Sequence, residues 1–249
     1  MTKLMSVLPL YAAALGLAAF APVAQAAANP DKLWQIVSQE CLPNEAAHGN
    51  AAPCKVVDPA HNYVMLKDRR GIAQYLLIPA TRVSGIDSEQ LLQAAAPSYF
   101  ASAWGQRHLV EDALGRRLPR NMIGVEINSA VSRSQLQLHL HVDCLRADLP
   151  QLLNGYANIA PDRWTPITID GQRHRVMRLV GADLNGKDPF KLAATITPAA
   201  PKMMGALSLL LAGATFSDGN EGFYLIANAV DFDSGTRGDA EAWMDHDCH

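Results

Sequence analysis

The chain lacks a strong charge of either sign. Its 21 lysines and arginines stand against 24 acidic residues, a formal net charge of −3, and only 18% of residues are charged. No basic field is available to attract nucleic acid, and the acidic excess is too small to mark a disordered, solvating tail. Cys-x-x-C spacing is also absent, which weakens any reading of the cysteines as zinc ligands. No internal repeat stands out, although the element order is compatible with two strand–helix–strand halves around one sheet. What remains is a chain of 249 residues, enough for one large domain or two small ones. A chain of that length buries a real core without needing metals or cross-links to fold.

Long apolar runs are few, and the first residues hold one of them. Met1-Thr2-Lys3 gives a short positive start, Leu4 to Ala21 is apolar and alanine-rich, and Ala24-Gln25-Ala26 places small residues where a signal peptidase inspects the chain. That pattern predicts a secretory signal over 1–26, cleaved after Ala26. The alternative is an uncleaved membrane anchor, since the run approaches the roughly 20 residues that span a bilayer. Pro9, Pro22 and the small-residue end favour cleavage, and no nearby cysteine invites lipoprotein processing.

Export gives the cysteines their meaning. An even count of four, Cys41, Cys54, Cys144 and Cys248, in an oxidising compartment reads as two disulfides. Three pairings are open. Cys41–Cys54 would close a short loop containing Pro and Asn, worth roughly 2–3 kcal/mol in the chain-entropy model. Cys144–Cys248 would then tie the C-terminal tail to the middle of the chain.

Hydrophobic periodicity sketches an α+β domain. Asp31 to Glu40 reads as a helix with Leu33, Ile36 and Val37 on one face, and Leu42 to Pro59 reads as a loop. Tyr63 to Asp68 and Gln74 to Pro79 form a hairpin across Arg69-Arg70-Gly71. After a short turn at Glu89 to Ala95, Pro97 opens a helix over Ser98 to Leu114, with Gly115 as its C-cap. Met122 to Asn128 and Leu136 to Cys144 are antiparallel strands joined by the polar loop Ser129 to Ser134. Arg175 to Val180 and Phe223 to Ala229 are strand candidates, and Lys191 to Ile196 and Lys202 to Ala214 read as helices. Within the last, the apolar stretch Met203 to Leu211 is expected to be a buried core helix, or alternatively a wall against acyl chains.

The most specific pattern starts at Leu136. Leu136, Leu138, Leu140 and Val142 alternate with Gln137, His139, His141 and Asp143. In a strand this puts four aliphatics on the core face and a polar row on the other, with neighbours in the row roughly 6.5–7 Å apart. Such a row suits two groups acting on different atoms of one phosphate. By itself it equally suits a solvated pair, or a metal site completed by Asp143, His61 or His174.

The surroundings carry a resemblance. A strand ending at Asn128, a small-residue loop, Ser134 five residues before His139, and upstream Leu76-Leu77-Ile78-Pro79 with Arg82-Val83 all resemble the histidine-triad superfamily. Within it, Glu40-Cys41-Leu42-Pro43-Asn44, Ile127-Asn128-Ser129, Arg133 with Gln135, His139 with His141, Arg163-Trp164, Asp245-His246 and all four cysteines look like the CDP-diacylglycerol pyrophosphatase family. The resemblance covers nearly the whole chain after the leader. It departs at one position, where Gln137 stands for the first histidine of the triad. Glutamine donates and accepts hydrogen bonds but does not titrate.

That resemblance implies a histidine-triad-like antiparallel sheet with packed helices, in a single disulfide-bonded domain over 27–249. It implies hydrolysis of CDP-diacylglycerol to CMP and phosphatidate, with His139 as nucleophile and His141 assisting the leaving group. Ser134, Gln135, Gln137 and the 129–134 loop would hold phosphate oxygens. Asn128 would position phosphate or ribose, and Arg133 would neutralise the pyrophosphate. The scheme needs no cofactor or metal and places the protein in the periplasm, at the outer face of the inner membrane, working at a membrane surface. Arg116, Arg117 and Arg120 either face anionic headgroups or are solvated after the helix. The rival functions are a metal-dependent exported phosphohydrolase using His139 and His141, and a non-catalytic nucleotide- or lipid-binding protein.

Overall fold

Two hairpins of aliphatic and aromatic residues set the frame. Tyr63–Lys67 (β2) and Tyr75–Pro79 (β3) pair antiparallel from Tyr63 opposite Pro79 to Lys67 opposite Tyr75, as expected. Thr165–Ile169 (β6) and Gln172–Val180 (β7) repeat the arrangement later in the chain, turning at Asp170-Gly171. Ile123–Ile127 (β4), Leu140–Cys144 (β5), Leu207–Thr215 (β8) and Glu221–Ala229 (β9) complete the larger sheet, with the short Val56–Asp58 (β1) at one edge. The computed structural model describes residues 29–249, so the leader expected over 1–26 lies outside the described residues. Among the described residues, no helix is long and apolar enough to cross a membrane.

All strands join one antiparallel sheet in the order β1-β2-β3-β5-β4-β8-β9-β7-β6. Setting β1 aside, β2-β3-β5-β4 read inward from one edge matches β6-β7-β9-β8 read inward from the other. The halves left open by the sequence are therefore present as a two-fold repeat meeting at the β4–β8 seam, where Val125 faces Leu211. Tyr99–Gly105 (α3) and His108–Leu114 (α4) from the first half, and Pro189–Ala193 (α6) from the second, cover the same face, while Leu149–Asn154 (α5) packs on the other. Phe100 and Phe190 meet there edge-on, with ring centroids 5.0 Å apart. The strand in β5's place in the second half, β9, carries no histidine, so the repeat leaves one histidine site.

Several sequence expectations change. Lys202 to Ala214 is not a helix: Leu207–Thr215 is a central strand, buried from Leu207 to Ala214. A strand covered on both faces loses its alternation, and periodicity then cannot separate it from a buried helix. Neither the expected core helix nor its acyl-facing alternative is present. The helix over Ser98 to Leu114 is broken after Gly105, a poor helix former, where Gln106 turns its amide to the Tyr63 hydroxyl at 2.9 Å. Gly115 does cap the second piece, at φ 66°. The 42–59 loop is partly helical: Lys32–Ile36 (α1) continues through a wide turn, Val37–Cys41, into Leu42–His48 (α2). Pro43, which cannot donate, follows directly on the wide turn, where the Leu42 N–H reaches back to the Val37 carbonyl. Helix α6 is shorter than the expected 191–196 segment and begins earlier, N-capped by the Asp188 side chain on Phe190 N–H.

The disulfides join Cys41 to Cys54 and Cys144 to Cys248. Of the arginines after α4, Arg120 is turned inward over Trp104 and Phe223 and bonds the Gly222 and Ala182 carbonyls. Arg116 bonds the Cys248 carbonyl, and Arg117 is exposed and paired with Glu111. Only Arg120 is withdrawn from the surface; Arg116 and Arg117 remain exposed.

Candidate active site

The histidine strand is shorter than expected and its polar face is roofed. Pairing begins at Leu140; the stretch before it is pinned by Leu136 N–H on the Pro30 carbonyl and Leu138 N–H on that of Val83. Leu138, Leu140 and Val142 fill the helix-covered core, while Leu136 is 42% exposed. The opposite row is no solvent face: Gln137 and Asp143 are fully buried and His141 is 7% exposed. The residues that close it come from the neighbouring strand, the β2–β3 turn and the C-terminal segment.

His139 is set by its own backbone. Its Nδ1 lies 2.8 Å from the Gln137 carbonyl oxygen. A carbonyl only accepts, so Nδ1 carries the proton and Nε2 keeps a free lone pair. The His141 ring stacks on it at 5.1 Å between centroids. His141 faces Glu126 directly across the β4–β5 ladder, with Nδ1 3.0 Å from Glu126 Oε1 and 3.6 Å from Glu241 Oε1. Glu241 in turn takes Arg70 at 2.6 Å and His246 Nε2 at 3.5 Å, and His246 Nδ1 meets Asp143 at 2.9 Å.

Burial and charge push the two histidines apart. Burial, with the neighbouring His141 cation, lowers His139 to about 4 despite its bond to the Gln137 carbonyl. Burial alone would also depress His141, but Glu126 and Glu241 outweigh it and hold it at about 10. Burial likewise opposes ionisation of Glu241, yet His141 and Arg70 bring it down to about 2. Near neutral pH the site thus presents a neutral imidazole beside an imidazolium, the separation a nucleophile–acid pair requires.

The residues assigned from sequence have the following partners within the chain. Gln137 holds the 79–83 turn: its Oε1 accepts from Val83 N–H, and its Nε2 donates to the Pro79 and Thr81 carbonyls. Replacing Gln137 by alanine is expected to cost roughly 2–4 kcal/mol, because these buried partners lose their bonds; denaturant unfolding measures it. Asn128 accepts from the Ala240 and Glu241 N–H groups and donates to Glu241 Oε2, so it seats the C-terminal segment. Arg133 is bound to Asp87, its charge already compensated, and lines a narrow cleft with Asn128, Gln137 and His139. Gln135 is turned toward the N-terminal residues, accepting from Leu33 N–H and donating to the Asn29 carbonyl. Ser134 is exposed at the mouth of the loop.

The ligand set imagined for a metal does not converge. His61 is exposed and pairs with Asp58, His174 packs against Trp243, and Asp143 is taken by His246. Glu126, His141 and Glu241 do place donor atoms within 4.8 Å of one another, but Arg70 and His246 already occupy Glu241 Oε1. The side chains of Arg70 and His246 crowd that cluster.

Sequence reasoning missed Glu126, Glu241, His246 and Arg70 as site residues. Glu126 had a signal, an acid alternating with Ile123, Val125 and Ile127 on the strand next to the histidines. Glu241 lies about a hundred residues away, and only the cysteine near the chain end hinted at that approach.

The comparisons now fall on this geometry. A family model described as CDP-diacylglycerol pyrophosphatase matches residues 28–249. A CDP-diacylglycerol pyrophosphatase of Yersinia pestis is 35% identical over 222 residues, 88% of this chain and 84% of the relative. The chain belongs to the CDP-diacylglycerol pyrophosphatase family. It is accordingly an enzyme, a diphosphatase of that family. The family match runs through both halves of the sheet and the C-terminal segment, so it includes His139 and His141 as well as Glu241 and His246.

Proposed function

We propose that the protein hydrolyses CDP-diacylglycerol to CMP and phosphatidate through a nucleotidyl-histidine, in the manner of the histidine-triad superfamily. Nε2 of His139 attacks the phosphorus attached to cytidine. The bond from that phosphorus to the bridging oxygen breaks, and phosphatidate leaves with a proton from His141. Water then attacks the same phosphorus, the N–P bond breaks, and CMP departs. Splitting one displacement into two is the gain of covalent catalysis. The observation that carries this reading is the His139 ring, with Nδ1 fixed on the Gln137 carbonyl at 2.8 Å and a second histidine stacked beside it.

The leader-like sequence and both disulfides support export, with the reaction in the periplasm at the outer face of the inner membrane. Arg133 and Gln137 line the cleft beside His139, and phosphate oxygens would be held there by the 129–134 loop, with the exposed Ser134 at its end.

Substrate labelled in the cytidylyl phosphate, quenched within the first turnovers, should leave acid-labile, base-stable label on the protein. His141→Ala should slow CMP release yet still allow that label to form. Wild-type protein without label, releasing CMP at full rate, contradicts the covalent route. The pH profile is a second check. Nucleophilic His139 must be neutral, so kcat should rise with pH through about 4; His141 must be protonated, so kcat should fall through about 10. A single limb centred on the ordinary histidine range would argue against this division of roles.

A further inference from the structure

The last residues of the chain cover the polar face of β5 and end in a disulfide to β5 itself. Asn128 holds the Ala240 and Glu241 backbone N–H groups, so the Glu241 carboxylate is delivered at a set height above His141. One oxygen, Glu241 Oε1, meets Arg70 at 2.6 Å, His246 at 3.5 Å and His141 at 3.6 Å. Behind it, His246 is bound to the fully buried Asp143, whose chain neighbour Cys144 is bonded to Cys248. The side chain of Gln137, at the position of the first triad histidine, is committed to the backbone of residues 79–83 and touches neither ring; only its backbone carbonyl holds His139.

Resting on the assignment of His139 as nucleophile and His141 as proton donor, we propose that Glu241 is a positioning residue acting through His141. Its Oε1 stands 3.6 Å from Nδ1 of that ring, beside Glu126 Oε1 at 3.0 Å, so its charge favours the protonated imidazole, and the Asp143–His246 pair holds Glu241 in place. The groups facing His141 are Glu126 from β4, His139 on its own strand, and Glu241 from the C-terminal segment. Arg70, Asp143 and His246 act on it through Glu241. A carboxylate seated for stability alone would be satisfied by Arg70 at the surface. Here it is also brought to the ring that must carry a proton.

The test uses the full disulfide-bonded protein carrying Glu241→Gln, which keeps size and hydrogen bonding but removes the charge. The kcat should fall about ten- to a hundredfold with KM little changed, the range of a weakened general acid. Losing the negative charge eases deprotonation of His141, so the basic limb of the kcat profile should move to lower pH by about one unit or more. His246→Ala should shift the limb less, and His246→Asn, whose amide can donate to Asp143, should restore much of it. A Glu241→Gln profile of unchanged shape overturns the proposal, as does a raised KM at unchanged kcat. A fall that is uniform with pH and matches the unfolded fraction by thermal melting also overturns it. If His139→Ala keeps its activity, the underlying reading fails, whatever the limb does.

Discussion

Replacing His139 by alanine should lower CMP release from CDP-diacylglycerol by on the order of ten-thousandfold or more, as removal of a covalent nucleophile does elsewhere. The fold should survive, because the one polar bond of the His139 ring is to the backbone two residues before it and no other segment depends on it. The labelled nucleotidyl-enzyme should disappear with it. His141→Ala is the necessary partner: it should retain the label while turning over slowly, since general-acid contributions are typically about 10²–10⁴-fold. A His139→Ala protein that releases CMP at a near-normal rate would remove the basis of the mechanism. A low rate that returns on adding a divalent cation would favour metal-assisted hydrolysis instead.

Opening the Cys144–Cys248 disulfide should have the largest effect on stability. It spans 104 residues of chain and encloses the whole second half of the sheet. Closing a loop of that length stabilises by about 4–5 kcal/mol in the chain-entropy model. The Cys144→Ala, Cys248→Ala double variant should therefore unfold at much lower denaturant. It should also lose activity below its own melting temperature, because the tether holds His246 and Glu241 over His141. The Cys41–Cys54 pair, separated by 13 residues at the sheet edge, should contribute less, about 3 kcal/mol, and leave turnover largely intact. Denaturant unfolding with activity assays separates the two. Equal loss of activity from both would show that the C-terminal tether is not specific to the site.

Much of the fold follows from local pattern. The β2–β3 hairpin, the β4–β5 pair, the glycine cap at 115 and the strands at 175–180 and 223–229 rest on signals that short-range geometry imposes. The largest difference, a strand where a helix is expected, has a clear cause. Leu207–Thr215 is apolar on both faces because it lies at the seam of two half-sheets, and no periodicity survives there to be read. The repeat was hidden similarly, since it resides in strand order and not in residue identity.

The histidine strand divides along the same line. The sequence by itself determined that Leu138, Leu140 and Val142 turn inward and that Gln137, His139, His141 and Asp143 share the other face, because alternation is a property of the extended backbone. It also carried the resemblance to the CDP-diacylglycerol pyrophosphatase family, to which the chain belongs. Only the tertiary structure decided that this polar row is buried, that Glu126 and Glu241 hold one histidine charged beside a neutral one, and that Asn128 and Gln135 serve neighbouring segments. The reason is physical. A side chain's ionisation depends on which groups the fold brings within a few ångströms of it, and here the decisive carboxylate arrives from the far end of the chain.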